Sequence, residues 1–593
     1  MNNILNSLQT TFGYSSFKPN QEEIITSILA GRDVFAAMPT GGGKSLCYQL
    51  PAMILPGLTV VISPLIALMK DQVDAAIENG IPAGFINSSL SVEAFRSVLT
   101  QLHSNKIKLL YIAPERFSVS GFLEKLQGLS VSHFAIDEAH CVSEWGHDFR
   151  PDYLSLSGLR DHFPKAVISA FTATATRKVQ EDIIVHLNLN NPLCIRASFN
   201  RKELYYRITR KFNANQQILE FVREHPGESG IVYRSTRKDV ENTSAYLNQY
   251  GGKSLPYHAG LADQMRKQNQ DLFKKDEVDI IVATIAFGMG IDKSNVRFVI
   301  HGDLPKSIES YYQETGRAGR DGELSHCLLL YNRGDTGKIL YHIRNIEDKE
   351  EQNRARKNLS RMISYAETSV CRRKQLLSYF DEAYPGDCGM CDSCNDEIER
   401  IDGTVDAQKV LSAIKRVNER FGINYIIDII RGADTERIRQ YRHNQLPTYG
   451  VGKNESKNYW HGVIDELLGQ DCIYKDEDKY GVLKITEKGK QVLFGKESLS
   501  IAKRQSVKKS KVEIEFSEGD ENLFSILKKL RLGIAREKGL PPYMIFSDKT
   551  LREMCIKLPM DNLSFLDING VGQVKLDSYG DTFLDCIRNY NNL

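Results

Sequence analysis

Short aliphatic runs recur along the first 340 residues, each closing on a polar, glycine or proline cluster. In the first 200 residues these are DVFAAM, LTVVISP, IKLLYIAP, SHFAIDEAH and AVISAFTAT. Near-continuous apolar runs of this length predict strands of a parallel sheet covered on both faces. The intervening stretches read as helices, so residues 1–199 predict a doubly wound α/β lobe. Residues 200–340 repeat the style with SGIVYRST, SLPYHAG, VDIIVAT and VRFVIHGDLP, and predict a second lobe. Only the first lobe carries a glycine-rich phosphate loop. Two similar lobes sharing one such loop predict a ligand in the cleft between them.

The pattern changes after residue 340. EDKEEQNRARKNLSRMISYAE is charged and helical, and cysteines then crowd residues 388–394, so 341–404 predict a small separate module. Residues 405–497 hold helical patterns and close on DCIYKDEDKYGVLKITEKGKQVL, two strands joined by a polar turn and then a helix. The lysine-rich KESLSIAKRQSVKKSK lacks apolar periodicity and places a linker at 498–515. Residues 516–593 are helical, with GLPPY and INGVGQ as breaks.

Composition narrows the class. A chain of 593 residues exceeds one core, in line with several domains. Hydrophobic residues at 41% and charged residues at 26% are ordinary for a soluble protein. The net charge of +2 does not announce a nucleic-acid partner, so any basic surface must be local. The start lacks a basic segment followed by an apolar core, and DIIVATIAFGMGI is broken by glycine, so neither a signal peptide nor a membrane span is expected. Eleven cysteines without a secretion signal predict a reducing compartment and a cytoplasmic protein.

MPTGGGKS, residues 38–45, sits between a predicted strand and a predicted helix. The backbone of Thr40, Gly41, Gly42 and Gly43 can approach phosphate oxygens at the positive end of that helix. Lys44 would reach the β- and γ-phosphates and Ser45 would ligate Mg²⁺. The general pattern asks for glycine where Met38 stands. Asp137 and Glu138 close the fourth strand of the series, and strand ends face the ligand crevice in such sheets. One carboxylate can hold a metal ion while its neighbour takes a proton from water; an exposed acidic turn is the plain alternative. YYQETGRAGRDG supplies Gln313, Arg317 and Arg320 from the second lobe, with the arginines predicted on one helix face. An arginine entering from another domain can raise phosphoryl transfer by roughly 10³–10⁵ in rate; a solvated basic helix start is the alternative. TATAT at 172–176 and ATIAFGMGID at 283–292 are further turns after strands, able to contact backbone phosphates or link the lobes.

Cys371, Cys388, Cys391 and Cys394 form a second constellation, with Cys371 arriving from the preceding helix. Four thiolates on short spacers favour a tetrahedral, structural Zn²⁺, and an iron–sulfur cluster is the other reading.

The ordered set PTGGGKS, DEAH, SAFTATAT, TIAFGMGID and QETGRAGR resembles the two-lobed superfamily 2 helicases. DEAHCVSEWGHDFRPDY is narrower and resembles the aromatic-rich loop of the RecQ family of DNA helicases; FGYSSFKPNQ, the cysteines and the tail extend the resemblance along nearly the whole chain. It implies a multidomain α/β protein: two RecA-like parallel-sheet lobes, a helical zinc-binding module, a winged helix and a small all-α HRDC domain. It also implies an ATP- and Mg²⁺-dependent 3′–5′ DNA helicase of recombination, repair and the SOS response, bacterial in type. Such a chain would work as a monomer in the cytoplasm at the nucleoid, on single-stranded, duplex and branched DNA. A single-stranded-DNA-binding protein and a topoisomerase are its implied protein partners.

By the same resemblance Tyr14 and Lys18 would sandwich adenine and Gln21 would bond its edge. The family usually carries arginine at the Lys18 position, and lysine cannot stack as a planar group. Arg320 is the better finger of the two arginines. Trp145 and Phe149 would stack on single-stranded bases, worth about 1–3 kcal/mol each, and with His147 and Arg150 would couple DNA to the acidic pair. Arg437, Arg439 and Arg442 of the winged helix share a predicted helix surface toward duplex phosphates, or toward solvent. Lys528, Lys529, Arg531, Arg536 and Lys538 near Tyr543 suit weak single-strand binding in the tail, or again a solvated face. Two other classes share parts of the pattern. An RNA helicase would not need the tail domains, and a non-enzymatic scaffold would tolerate loss of Lys44.

Overall fold

The computed structural model describes residues 2–64, 66–87, 90–119, 121–143, 149–173, 175–287, 293–332, 334–368, 370–395, 400–470, 472–476, 482–502 and 521–591. The first lobe is a parallel sheet of seven strands among these residues. They are β1 (Val34–Ala37), β2 (Leu58–Ile62), β3 (Ala83–Ile86), β4 (Leu109–Ile112), β5 (Val131–Ile136), β6 (Val167–Thr172) and β7 (Leu193–Arg196). Their order is β3-β4-β2-β5-β6-β1-β7, and every pairing is parallel. Strands β1, β2, β4 and β6 are buried at every position, which is why they read as unbroken apolar runs. The edge strands β3 and β7 carry Gly84 and Arg196 and lack that signature, so the sequence pattern misses them. The acidic pair therefore follows the fifth strand of the lobe rather than the fourth.

The second lobe holds β8 (Leu204–Arg210), β9 (Ser229–Tyr233), β10 (Ser254–Tyr257), β11 (Ile280–Ala283), β12 (Val296–His301) and β13 (Ser325–Tyr331). Their order is β10-β11-β9-β12-β13-β8, again all parallel. Residues 197–203 cross from β7 to β8 and so join the lobes. One continuous apolar core runs from Phe134 and Phe163 in the first lobe through Phe199 to Tyr312, Leu376 and Phe380. The crossing segment is thus held inside the protein.

After the second lobe, the helix Lys349–Glu367 starts on an Asp348 cap, whose carboxylate accepts from the amides of Glu350 and Glu351. The cysteine-bearing loop then hooks onto edge strand β8: the Tyr206 amide donates to the Met390 carbonyl and the Ile208 amide to the Asp392 carboxylate. Next comes a helical domain with two small antiparallel pairs, β14 (Arg400–Asp402) with β17 (Ser500–Ala502), and β15 (Ile473–Asp476) with β16 (Val482–Ile485). Trp460 fills its centre, fully buried, with its indole N–H on the Gly452 carbonyl. The start of the lysine-rich stretch belongs to this domain rather than to a linker. Leu499 and Ile501 are buried at an alternating spacing that the surrounding lysines obscure.

The last domain is all helical, with long helices Glu521–Lys538 and Gln573–Asn591 around Phe546, Phe565 and Phe583. It packs on both lobes. The Gly570 amide donates to the Gly13 carbonyl, the Tyr579 hydroxyl to Glu78, and Arg552 pairs with Glu323.

Candidate functional site

The phosphate-loop sequence leaves the buried end of β1 and opens the helix Lys44–Ile54. Gly41 and Gly43 lie in the left-handed region at φ 80° and 82°, which a side chain at either position would strain. The Gly42 position leaves only 2.9 Å between a would-be Cβ and the Pro39 carbonyl. The chain can therefore curl its amides inward ahead of the helix N-terminus, where Lys44 and Ser45 begin the first turn. Met38, the departure from the general pattern, is buried in the core of the first lobe. Packing accounts for it, and the loop still closes.

Lys18 and Gln21 lie against this loop. The Lys18 ammonium donates to the Gly41 carbonyl at 3.0 Å and the Gln21 amide to Gly43 at 3.1 Å. Gln21 also accepts from the Lys18 amide, so the two residues lock each other. Burial lowers the Lys18 pKa from its ordinary value, with Lys549 and Arg201 adding to the effect. Tyr14, just upstream, is exposed.

Asp137 and Glu138 follow β5 at the same edge of the sheet. The Asp137 amide donates to Ile62 at 2.8 Å, and its carboxylate accepts from the Glu138 amide at 3.0 Å. Glu138 sits at φ 49°, a left-handed conformation that costs a side-chain residue about 1–2 kcal/mol. Its carboxylate lies 3.4 Å from His140 Nδ1, which is 3.0 Å from the Thr172 hydroxyl at the end of β6. The sequence reading misses His140, although DEAH displays it two residues beyond Glu138. Thr172 reads there only as part of a turn; the fold sets it behind the acidic pair.

In the second lobe the helix Ile308–Thr315 ends before the arginines, so they do not share a helix face as expected. The helix ends at Thr315, and the turn through Gly316 and Gly319 carries the two arginines beyond it. Arg317 is buried against the Tyr233 hydroxyl, and half-buried Arg320 also acts on Tyr233 while its backbone lies beside the phosphate loop. The Arg320 Cα is 3.5 Å from where a Gly41 Cβ would stand. Gln313, half-buried, lies on the helix just before them, and its neighbour Glu314 accepts from buried His301 at 2.7 Å. Arg201, which no sequence motif flags, fills the gap between this loop and the phosphate loop. It donates to the carbonyls of Thr40, Gly316, Ala318 and Gly319.

Trp145 and His147 lie outside the described residues, as do Thr174 and residues 288–292. The exit of the aromatic loop is described. The Arg150 amide donates to Cys141 at 3.0 Å and its guanidinium to Pro64 at 3.1 Å, with Phe149 half-buried beside it. Tyr153 then donates its hydroxyl to the Asp137 carbonyl at 2.9 Å.

Cys371, Cys388, Cys391 and Cys394 bring their sulfurs within 4.8 Å of one another, and none is in a disulfide. Cys388 and Cys394 are 3.9 Å apart, close to the roughly 3.8 Å edge of a tetrahedron with Zn–S bonds of about 2.3 Å. Cys371 caps the start of the helix Arg372–Tyr379 rather than ending the helix before it. Arg372, buried, pairs with Asp392 and so ties this cap to the loop of the other three.

The basic groups of the later domains occupy different environments. Arg531 is fully buried, bonded to Asp548 and to the Phe546 carbonyl, so it is a core residue and presents no surface to DNA. Lys538 is engaged with Tyr579. Arg437 covers the rings of Phe421 and Tyr425, and Arg439 pairs with Asp434. Arg442 lies beyond the short helix Glu436–Gln440, at φ 56°. The three arginines are exposed, but only Arg437 and Arg439 are on that helix.

Five family profiles match the chain in order. They are DEAD/DEAH box helicase at residues 18–183, helicase conserved C-terminal domain at 210–322, RecQ zinc-binding at 333–395, RQC domain at 397–510 and HRDC domain at 520–587. The chain is 43% identical over 597 residues to the ATP-dependent DNA helicase RecQ of Pasteurella multocida (strain Pm70), covering 99% of this chain and 94% of that one. It is 42% identical to the ATP-dependent DNA helicase RecQ of Bacillus subtilis (strain 168), covering 98% and 97%.

Proposed function

The chain belongs to the RecQ family and is an ATP-dependent DNA helicase; from that premise we propose that it moves 3′–5′ on one strand and that DNA gates hydrolysis through the aromatic loop. Lys44 holds the terminal phosphates of ATP and Glu138 takes the proton from the attacking water. Ser45 and Asp137 offer the oxygen donors that Mg²⁺ prefers, and that ion would neutralise phosphate charge. Arg320 enters from the second lobe to stabilise charge on the transferring group. Tyr14, Lys18 and Gln21 hold the base, and Gln313, on the helix before the arginines, supplies an amide that can orient the attacking water.

The observation that carries the coupling is the Tyr153 hydroxyl on the Asp137 carbonyl. The loop bearing Trp145, His147, Phe149 and Arg150 is anchored there, so a base stacked on it pulls on the acidic pair. The left-handed Glu138 is the strained residue such a pull would re-aim. Cys371, Cys388, Cys391 and Cys394 hold Zn²⁺ and lock their module on the second lobe, while the RQC domain grips duplex DNA. The deciding experiment is strand displacement on forked and tailed DNA of either polarity, with ATP and with or without Mg²⁺. Unwinding that needs a 3′ tail and Mg²⁺ is expected; unwinding from a 5′ tail alone removes the polarity. ATPase stimulation by DNA but not by RNA is expected in parallel.

A further inference from the structure

Arg201 joins the phosphate loop to the arginine-bearing loop. It sits on the segment crossing between lobes and is only 6% exposed. A guanidinium has five N–H donors, and here each has an acceptor. Nε is paired with Glu203. One Nη1 bond goes to the Thr40 carbonyl at 2.5 Å and another to Gly316 at 3.2 Å. Nη2 donates to Ala318 at 2.9 Å and to Gly319 at 3.1 Å.

These acceptors divide by lobe. Thr40 belongs to the first lobe's phosphate loop. Gly316, Ala318 and Gly319 belong to the second lobe's turn and flank Arg317 and Arg320. The glycines make the approach possible. A Cβ on Gly41 would stand 3.4 Å from the Arg201 guanidinium carbon, and one on Gly316 would stand 3.3 Å from the Thr40 Cβ. The backbone of the crossing segment is itself held. The Phe199 amide donates to Glu382 at 2.7 Å, Arg373 donates to the Asn200 side chain at 2.7 Å, and the Phe199 ring stacks on Phe380 at 4.7 Å.

We propose that Arg201 is a positioning residue for hydrolysis, which sets Arg320 against the phosphate loop when the lobes close. Three of its bonds travel with the second lobe, and the bond to Thr40 alone crosses the cleft. Opening the cleft breaks that bond, and closing it restores one geometry. The inference rests on the reading of Arg320 as the residue that meets the phosphoryl group. Lysine at this position has three donors and no planar fork, so it cannot span the four carbonyls.

The test is steady-state ATPase of full-length Arg201→Lys with saturating single-stranded DNA, with binding of a fluorescent ATP analogue, melting temperature and zinc content measured alongside. Expected is a fall in kcat of roughly ten- to a hundredfold, with KM and analogue affinity within about threefold of the parent, the size of effect a retained binding contact leaves. Glu203→Gln, which loosens Nε and keeps the arginine, should lower kcat in the same direction by less, and decides the matter if Arg201→Lys folds poorly. Turnover within twofold of the parent in the variants that fold overturns the proposal, as does a loss of kcat matched by an equal loss of nucleotide affinity. Arg320→Ala separates the premise. If it keeps full turnover, the reading of Arg320 fails; if it abolishes turnover while Arg201→Lys does not, only the Arg201 proposal fails.

Discussion

The hydroxyl of Tyr153 rests on the carbonyl oxygen of Asp137 at 2.9 Å, sixteen residues along the chain. This bond closes the aromatic loop on itself, so both ends of the loop are fixed at the acidic pair. Tyr153 is fully buried, and its burial pushes the phenol well above its ordinary pKa, so it stays a donor at every working pH. Removing the hydroxyl should loosen the coupling. Tyr153→Phe is expected to cut the ratio of DNA-stimulated to unstimulated ATPase by about fivefold, the worth of about 1 kcal/mol in one hydrogen bond. Trp145→Ala should cut that ratio further while fluorescence anisotropy still shows DNA binding. An unchanged ratio in both variants would remove the loop from the mechanism.

Glu138 and Lys44 should fail differently. Glu138→Gln keeps the shape of the side chain and loses the base, so ATP binding is expected to persist while turnover drops by roughly 10²–10⁴-fold. Lys44→Ala should abolish unwinding altogether. Single-turnover hydrolysis and a nucleotide-binding titration distinguish the two.

The four cysteines predict a stability effect rather than a catalytic one. Metal binding by a closed thiolate site is largely folding energy. Cys391→Ser should take zinc content from about one per chain to near none and expose the 371–394 region to protease. Cys391 is fully buried, so the hydroxyl also has no easy route to solvent. Full zinc occupancy in the variant would contradict the ligand set.

Two histidines predict acid sensitivity. Burial pushes His133 down to about 3, and burial beside His225 and Arg207 pushes His326 down to about 4. Both lie below the ordinary value of about 6.5. Between about pH 4 and 6.5 the unfolded chain therefore binds more protons, and stability rises with pH across that window. At pH 5 each neutral histidine opposes folding by about 2 kcal/mol. Melting temperature should fall from pH 7 to pH 5, and His326→Gln should narrow the fall. A gap of the same size in the variant would discard this origin.

The tail carries a buried charge pair. Asp548→Ala would leave Arg531 uncompensated inside the last domain, at a cost of about 3–5 kcal/mol. Calorimetry of the full chain should show an early transition from that domain, and its absence would mean that the domain relaxes around the cation.

Much of the site was legible locally. Glycines of the phosphate loop, the acidic pair and the clustered thiols announce chemistry because each depends on short spacing and backbone conformation, which a sequence carries directly. Buried parallel strands were legible for the same reason, since both faces must be apolar. Edge strands β3 and β7 were not, because an edge tolerates glycine and charge. The sequence alone thus determined the family, the order of the domains and the residues proposed to meet phosphate and metal. Tertiary structure decided which of them meet each other. Arg531 turned inward because Asp548 waits for it, and Arg317 and Arg320 lie on a turn because their helix ends at Thr315. Arg201 came between the two loops because a crossing segment, 161 residues from Thr40, is held in the core. Contacts at that separation depend on how sheets and domains pack, and no local pattern encodes them.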